Sequence, residues 1–218
     1  MKNRILHFLL LQFAVFGIGK SQDIKEFEGV ITYSHQTIAL ENGYNVEEDY
    51  KVDGKESKFH YKKGFYKWLF YPNCYVEMEM FHPFDTVIYL KFQPSDTLNV
   101  YSIKPSTETI INYKIFPNAD TILGYVCDRL VIKAKGEKSE WTRLYSYTAK
   151  FPLDPSHFQR YTHNSLNLIY SLTKALPLRI ELIYKDRKIS YTAIQVESKI
   201  LPVELFLLKE GTILRFLQ

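Results

Sequence analysis

From Phe27 to Gly136 apolar and polar positions alternate with a period of two, broken by turn signals every 8 to 15 residues. That period puts successive side chains on opposite faces of a strand, so the chain reads as strand after strand. In Phe27-Glu-Gly-Val-Ile-Thr-Tyr33 the residues Phe27, Gly29, Ile31 and Tyr33 share one face. Asn42-Gly43 and Asp53-Gly54 are the strongest hairpin signals and Lys63-Gly64 a weaker one, because a tight hairpin turn needs positive φ at its central residues. Cys74 to Phe81 places Cys74, Val76, Met78 and Met80 on one face and Tyr75, Glu77 and Glu79 on the other. Segments 85–93, 97–104, 108–116, 120–135 and 139–151 continue the pattern. Prolines 72, 83, 94, 105 and 117 fall between the runs, where a missing N–H costs the ladder nothing.

The pattern changes at Pro152. Asp154 is placed to cap a helix with Pro155 at its first position, and one or two short helices are expected within 155–174, carrying Phe158, Leu166 and Ile169. Leu178–Tyr184 and Ile189–Glu197 form a last hairpin around Asp186-Arg187, and Leu201–Leu208 reads as a short closing helix or a final strand. The expected fold is mainly β, of the α+β kind. It is a large curled antiparallel sheet, or incomplete β-barrel, with the short helical insertion as lid or plug. A sheet of this size must curl, since open twisted sheets seldom exceed roughly 10 strands. With no linker or repeat, residues 22–218 read as a single domain.

Residues 1–21 stand apart. Lys2 and Arg4 precede an apolar run from Ile5 to Gly19, and Gly19-Lys20-Ser21 puts small residues where a signal peptidase cuts before Gln22. The expectation is a secretory signal peptide and an exported protein, periplasmic first, with extracellular or outer-membrane-associated locations as alternatives. No cysteine adjoins the cut, so an N-terminal lipid anchor is not expected, nor is a transmembrane segment after it. The leader also carries most of the charge imbalance: of 28 Lys and Arg against 24 Asp and Glu, three basic residues lie within 1–21. The remainder is close to neutral, which argues against a nucleic-acid partner.

Candidate chemistry is sparse. The six histidines show no metal-ligand spacing, and no nucleophile elbow, phosphate loop or dinucleotide fingerprint is present. Asp154, Ser156 and His157 are neighbours in sequence, which suits helix capping better than a triad assembled in space. No catalytic residue, metal or cofactor is therefore expected, and the chain does not read as an enzyme. Cys74 and Cys127 are the two cysteines, and two readings stay open: a disulfide in an oxidising compartment, or two buried thiols. Leu69, Tyr71, Val76, Met78, Met80, Phe158, Leu166, Ile169, Ile180 and Leu182 are the candidate lining of a concave apolar face. Methionine there would suit flexible chains.

Several phrases carry a resemblance: Phe27-Glu-Gly-Val-Ile-Thr-Tyr33, Asp120-Thr-Ile-Leu-Gly-Tyr-Val-Cys127, Phe151-Pro-Leu-Asp-Pro155 and Lys174-Ala-Leu-Pro-Leu-Arg-Ile180. In this order the chain resembles the exported GLPGLI family of Bacteroidetes envelopes. Ala175-Leu-Pro-Leu-Arg-Ile180 stands where that family has its eponymous motif and departs from it at Ala175, Leu178 and Arg179. The family is similar in architecture to the LolA/LolB-like lipoprotein carriers, half-barrels that hold acyl chains under a helical lid. The resemblance implies a LolA-like half-barrel that binds a lipid or lipoprotein acyl chain on its concave face. The alternative is an envelope module with a self-plugged barrel and a protein partner.

Overall fold

The computed structural model describes residues 25–217 apart from 86, 104–107 and 137–138. The expected leader, 1–21, lies outside the described residues. Among the described residues twelve strands form one curled sheet. In chain order they are β1 (Glu28–Ala39), β2 (Glu56–Lys62), β3 (Phe65–Tyr71), β4 (Val76–Phe81), β5 (Val87–Phe92), β6 (Leu98–Ser102), β7 (Thr109–Ile122), β8 (Tyr125–Lys135), β9 (Glu140–Pro152), β10 (Ala175–Ile183), β11 (Arg187–Ser198) and β12 (Leu214–Leu217). Their order in the sheet is β12-β6-β5-β4-β3-β2-β1-β11-β10-β9-β8-β7. Two meanders thus spread from the central β1–β11 pair. The pairings are antiparallel except β12 on β6, which is parallel.

Two α-helices among the described residues accompany the sheet, α1 (Val46–Asp53) and α2 (Leu166–Thr173). Helix α1 corrects the expected pair of hairpins at Asn42-Gly43 and Asp53-Gly54. Asn45 caps it, its side chain accepting from Glu47 N, and Glu47, Glu48 and Asp49 sit in the first turn where the helix dipole favours acids. Gly54 ends α1 at φ 72°, donating its N–H to Tyr50 O. The weaker signal is the real hairpin: Lys63 and Gly64, both at positive φ, join β2 to β3. Leu123 and Gly124 likewise split the expected 120–135 run into β7 and β8. Pro117 lies inside β7, where the register slips between Phe116 and Asp120, and β7 is a sheet edge that tolerates proline. The 201–208 segment is a 3-10 turn at Val203–Phe206, and the last strand comes later, as β12.

The insertion follows its sequence signals. Asp154 accepts from Ser156 N at 2.8 Å and opens a 3-10 turn over Pro155–Phe158, with a second turn at His163–Ser165 leading into α2. It lies on the concave face of the sheet. Phe158, fully buried, stacks against Phe81 of β4 with ring centroids 5.5 Å apart and packs on Tyr170 of α2 at 4.4 Å. Burying one such ring stabilises the arrangement by about 1.5–3 kcal/mol. The main core is this concave layer, from Ile31, Phe59 and Tyr61 to Leu130, Ile132 and Leu178.

The convex face has its own cover. Val30, Leu201 and Phe206 form one small cluster there, and Met78, Met80, Tyr89, Leu98 and Val100 another, with Leu208 packed on it. Glu28 ties this C-terminal segment down by accepting from Leu201 N at 2.6 Å and from Lys62 Nζ at 2.8 Å. On the far side of the same sheet Asp120 accepts from Arg129 and Ser146, with Arg179 Nη1 3.5 Å away. Segments 120–127 and 174–180 meet here, and Arg179 has the Asp120 carboxylate as its partner.

Candidate functional site

Between the sheet and the insertion lies a cavity of about 370 Å³. Its wall is aromatic because one face of each strand in β1–β3 is aromatic. Tyr33, Phe59, Tyr66, Trp68 and Phe70 point inward, and the register pairs Phe59 with Trp68 and Tyr61 with Tyr66. Ile88 and Leu90 of β5, Tyr145 of β9, Ile180 and Leu182 of β10 and Tyr191 of β11 continue the wall, while Tyr161, Leu166 and Tyr170 close it from the insertion. Tyr33 donates its hydroxyl to Pro177 O at 2.6 Å, which holds β1 against the irregular start of β10.

Polar groups in the wall are few and specific. Tyr161 and Tyr66 have their hydroxyls 3.0 Å apart, and Tyr66 donates onward to Glu79. Tyr191 donates to Asp53 Oδ2 at 2.8 Å. Burial pushes both the Glu79 and the Asp53 carboxyl above the usual carboxylate range, with the tyrosine hydrogen bond opposing the shift in each case. Glu79 keeps some accessible surface because it borders the cavity. At another part of the wall Arg143 contacts both Glu108 oxygens, at 3.0 and 2.9 Å, and donates to Asn164 O and Oδ1. His163, beside it, has its pKa lowered by burial and then by the Arg143 charge.

The residues singled out from sequence divide. Val76, Leu166, Ile180 and Leu182 border the cavity. Phe158 and Ile169 are buried in the packing of the insertion itself and do not reach it. Leu69, Met78 and Met80 do not share the concave face, contrary to expectation. They line a separate outer groove of about 500 Å³ between β3–β6 and the 204–212 segment. For Met78 and Met80 the cause is a β-bulge, whereas Leu69 lies on the outward face of the regular strand β3. The β4–β5 register slips between Val76 and Met78, so Glu77 and Met78, adjacent in the chain, both border the outer groove while Val76 and Glu79 face inward. The bulge also separates Glu77 from Glu79, which the alternation put on one face. Tyr71 lies outside the cavity at the end of β3, with Lys58 Nζ 5.8 Å from its ring.

The cysteines are free thiols: Cys74 lies beside β4, Cys127 in β8, and neither takes part in a disulfide. Six strands separate β4 from β8 in the sheet order, which is why the pairing does not form. Asp154, Ser156 and His157 form no triad. Asp154 caps, and His157 Nε2 lies 3.1 Å from Glu26 Oε1. No group of three His, Cys, Asp or Glu able to hold a metal occurs among the described residues. No helix among them is long and apolar enough to cross a membrane.

The aromatic wall was readable only in part. Tyr66, Trp68 and Phe70 alternate with Phe65, Lys67, Leu69 and Tyr71, so β3 is apolar on both faces and periodicity does not say which face is concave. The aromatic-on-aromatic register with β2 was the usable signal.

No protein-family model matches the chain, and no curated protein is similar to it in sequence. Among solved structures it is similar to the Mycobacterium tuberculosis lipoprotein LppX. The identity is 9% and the TM-score 0.36, over 80% of this chain and 89% of that one. Likeness at that level assigns no ligand or role to this chain.

Proposed function

We propose that this chain is a non-catalytic, exported binding protein of the cell envelope, with residues 22–218 as one domain that holds an apolar ligand between the curled sheet and its lid. The aromatic cavity of about 370 Å³ carries the reading. Ligand sites are typically concave and mostly apolar with a few placed polar groups, at roughly 300–1,000 Å³. This one sits at the lower end. It suits a single chain segment or a small ring system, and a lipoprotein's several acyl chains need more room than this cavity has. The remaining concave space is filled by the chain itself, through Phe81, Phe158 and Tyr170.

That filled end supports a second reading, an envelope interaction module whose half-barrel is plugged by its own side chains. The two separate on one titration. With the uncharged dye N-phenylnaphthylamine, the binding reading expects saturable fluorescence enhancement that dodecanol reverses. Absence of any uptake leaves the plugged module. Native mass spectrometry of protein taken from intact cells would show an apolar adduct in the first case and the bare chain in the second.

A further inference from the structure

The cavity's charges are unbalanced. Four side chains in its lining can carry charge: Asp53, Glu79, Arg143 and His163. The Arg143 guanidinium is already engaged by the Glu108 carboxylate and the Asn164 oxygens. Burial, and then the Arg143 charge, lower the pKa of His163, which disfavours its cationic form. Asp53 and Glu79 remain. Each accepts a hydrogen bond from a neutral phenol, Tyr191 or Tyr66, and neither belongs to any of the ion pairs found among the described residues. Burial makes both carboxyls resist ionising, and a cation entering beside them favours the ionised form that the chamber otherwise penalises. Trp68, Tyr33, Phe59, Tyr66 and Tyr191 line the same chamber, and aromatic rings attract cations, indole most strongly.

We infer that the cavity selects an amphipathic cation: an apolar body against the aromatic wall, with an ammonium group beside the Glu79 and Asp53 carboxylates. The inference rests on the binding reading above and names the head group that reading leaves open. It disfavours a fatty-acid anion, for which the chamber holds no free cationic partner and two like charges. A primary amine can donate to Glu79 while Tyr66 retains its own bond. A quaternary ammonium would use only charge and the ring faces.

The test is a matched series of dodecylamine, dodecanol and dodecanoate at neutral pH, read by displacement of N-phenylnaphthylamine. The amine is expected to bind about tenfold or more tighter than the alcohol, and the acid more weakly than either. Glu79→Gln, which keeps an acceptor for Tyr66, should shrink the amine-to-alcohol ratio several-fold. Asp53→Asn is the second variant should the first fail to fold. An amine no tighter than the alcohol, or a ratio unmoved by both substitutions, overturns the inference and leaves the binding reading intact. If none of the three displaces the dye, the inference fails. If the dye itself does not bind, the binding reading fails and the inference goes with it.

Discussion

Ser57 Oγ and His35 Nε2 lie 2.7 Å apart inside the wall behind the cavity. The pair has the spacing of a nucleophile and its base, but its surroundings assign it another role. Trp68 Nε1 donates to the same Ser57 oxygen at 2.7 Å, and His35 Nδ1 faces Gly54 O at 3.0 Å rather than a carboxylate. These partners assign the proton to Nδ1, leaving Nε2 to accept from Ser57. Ser57 has no accessible surface, so no substrate reaches it. The network fixes the Trp68 ring that forms part of the cavity wall.

The network makes stability sensitive to acid. Burial lowers the His35 pKa from 6.5 to about 4. The folded state therefore favours neutral His35, and the associated stability is present above about pH 6.5 and lost as pH falls toward 4. The full loss would be about 3 kcal/mol from the linkage relation. Denaturant midpoints measured between pH 7 and 4 should show this decline, and His35→Gln should lower stability at pH 7 while flattening the slope. An unchanged slope in the variant would assign the acid sensitivity to other groups.

Glu26 latches the insertion to the start of the chain. Its carboxylate accepts from Tyr61 Oη at 2.7 Å and from Asp154 N at 3.1 Å, and His157 Nε2 lies 3.1 Å away. Glu26→Ala leaves the buried Tyr61 hydroxyl and the Asp154 amide without this partner. A loss of about 1.5–3 kcal/mol is expected, concentrated in the lid. Hydrogen exchange should rise across 154–173 more than in β8 or β9. A uniform rise would mean the latch serves the whole fold equally.

Much of this architecture was legible in the residues. The strands of 27–136, the Asp154 cap, the 155–174 insertion and the hairpin at Asp186-Arg187 all follow from periodicity and turn chemistry. Helix α1 escaped because Asn42-Gly43 and Asp53-Gly54 read as hairpin turns, and the misassigned facings have two physical sources. One is the bulge at Glu77: a single extra residue reverses every facing beyond it, so alternation alone placed Met78 and Met80 on the wrong side. The other is sheet curvature. Nothing in Phe65–Tyr71 says which apolar face is concave, and the aromatic wall depends on that. Nothing in the sequence joined Glu79 or Asp53 to the wall, because the tyrosines that hold them, Tyr66 and Tyr191, lie 13 and 138 residues away.

Gly54 bears on the same wall, since its carbonyl accepts from His35. It adopts φ 72°, and a Cβ there would lie 2.1 Å from Tyr71 O. Backbone is not free to move aside, so Gly54→Ala combines left-handed strain with a collision. A loss above about 1 kcal/mol is expected. Gly43, also at positive φ but with open space around it, is the control. Gly43→Ala should cost only its strain, and equal thermal shifts in the two variants would deny the role assigned to the Tyr71 contact.

The cavity itself can be tested by filling it. Leu166, at the start of α2, borders the space without being fully buried, so a larger side chain there has room to enter the cavity. Overpacking a tight core costs about 1–3 kcal/mol, whereas filling a real void costs little. Leu166→Trp should therefore leave the thermal midpoint near wild type while abolishing uptake of N-phenylnaphthylamine. The comparison is Ile169→Trp, one turn along the same helix but fully packed in the core, which should lower the midpoint sharply. On the outer face, Leu69→Trp enlarges a residue of the separate groove and should leave dye uptake intact. If Leu69→Trp abolishes uptake and Leu166→Trp does not, the ligand site belongs to the outer groove beneath the C-terminal segment, and the aromatic chamber is core.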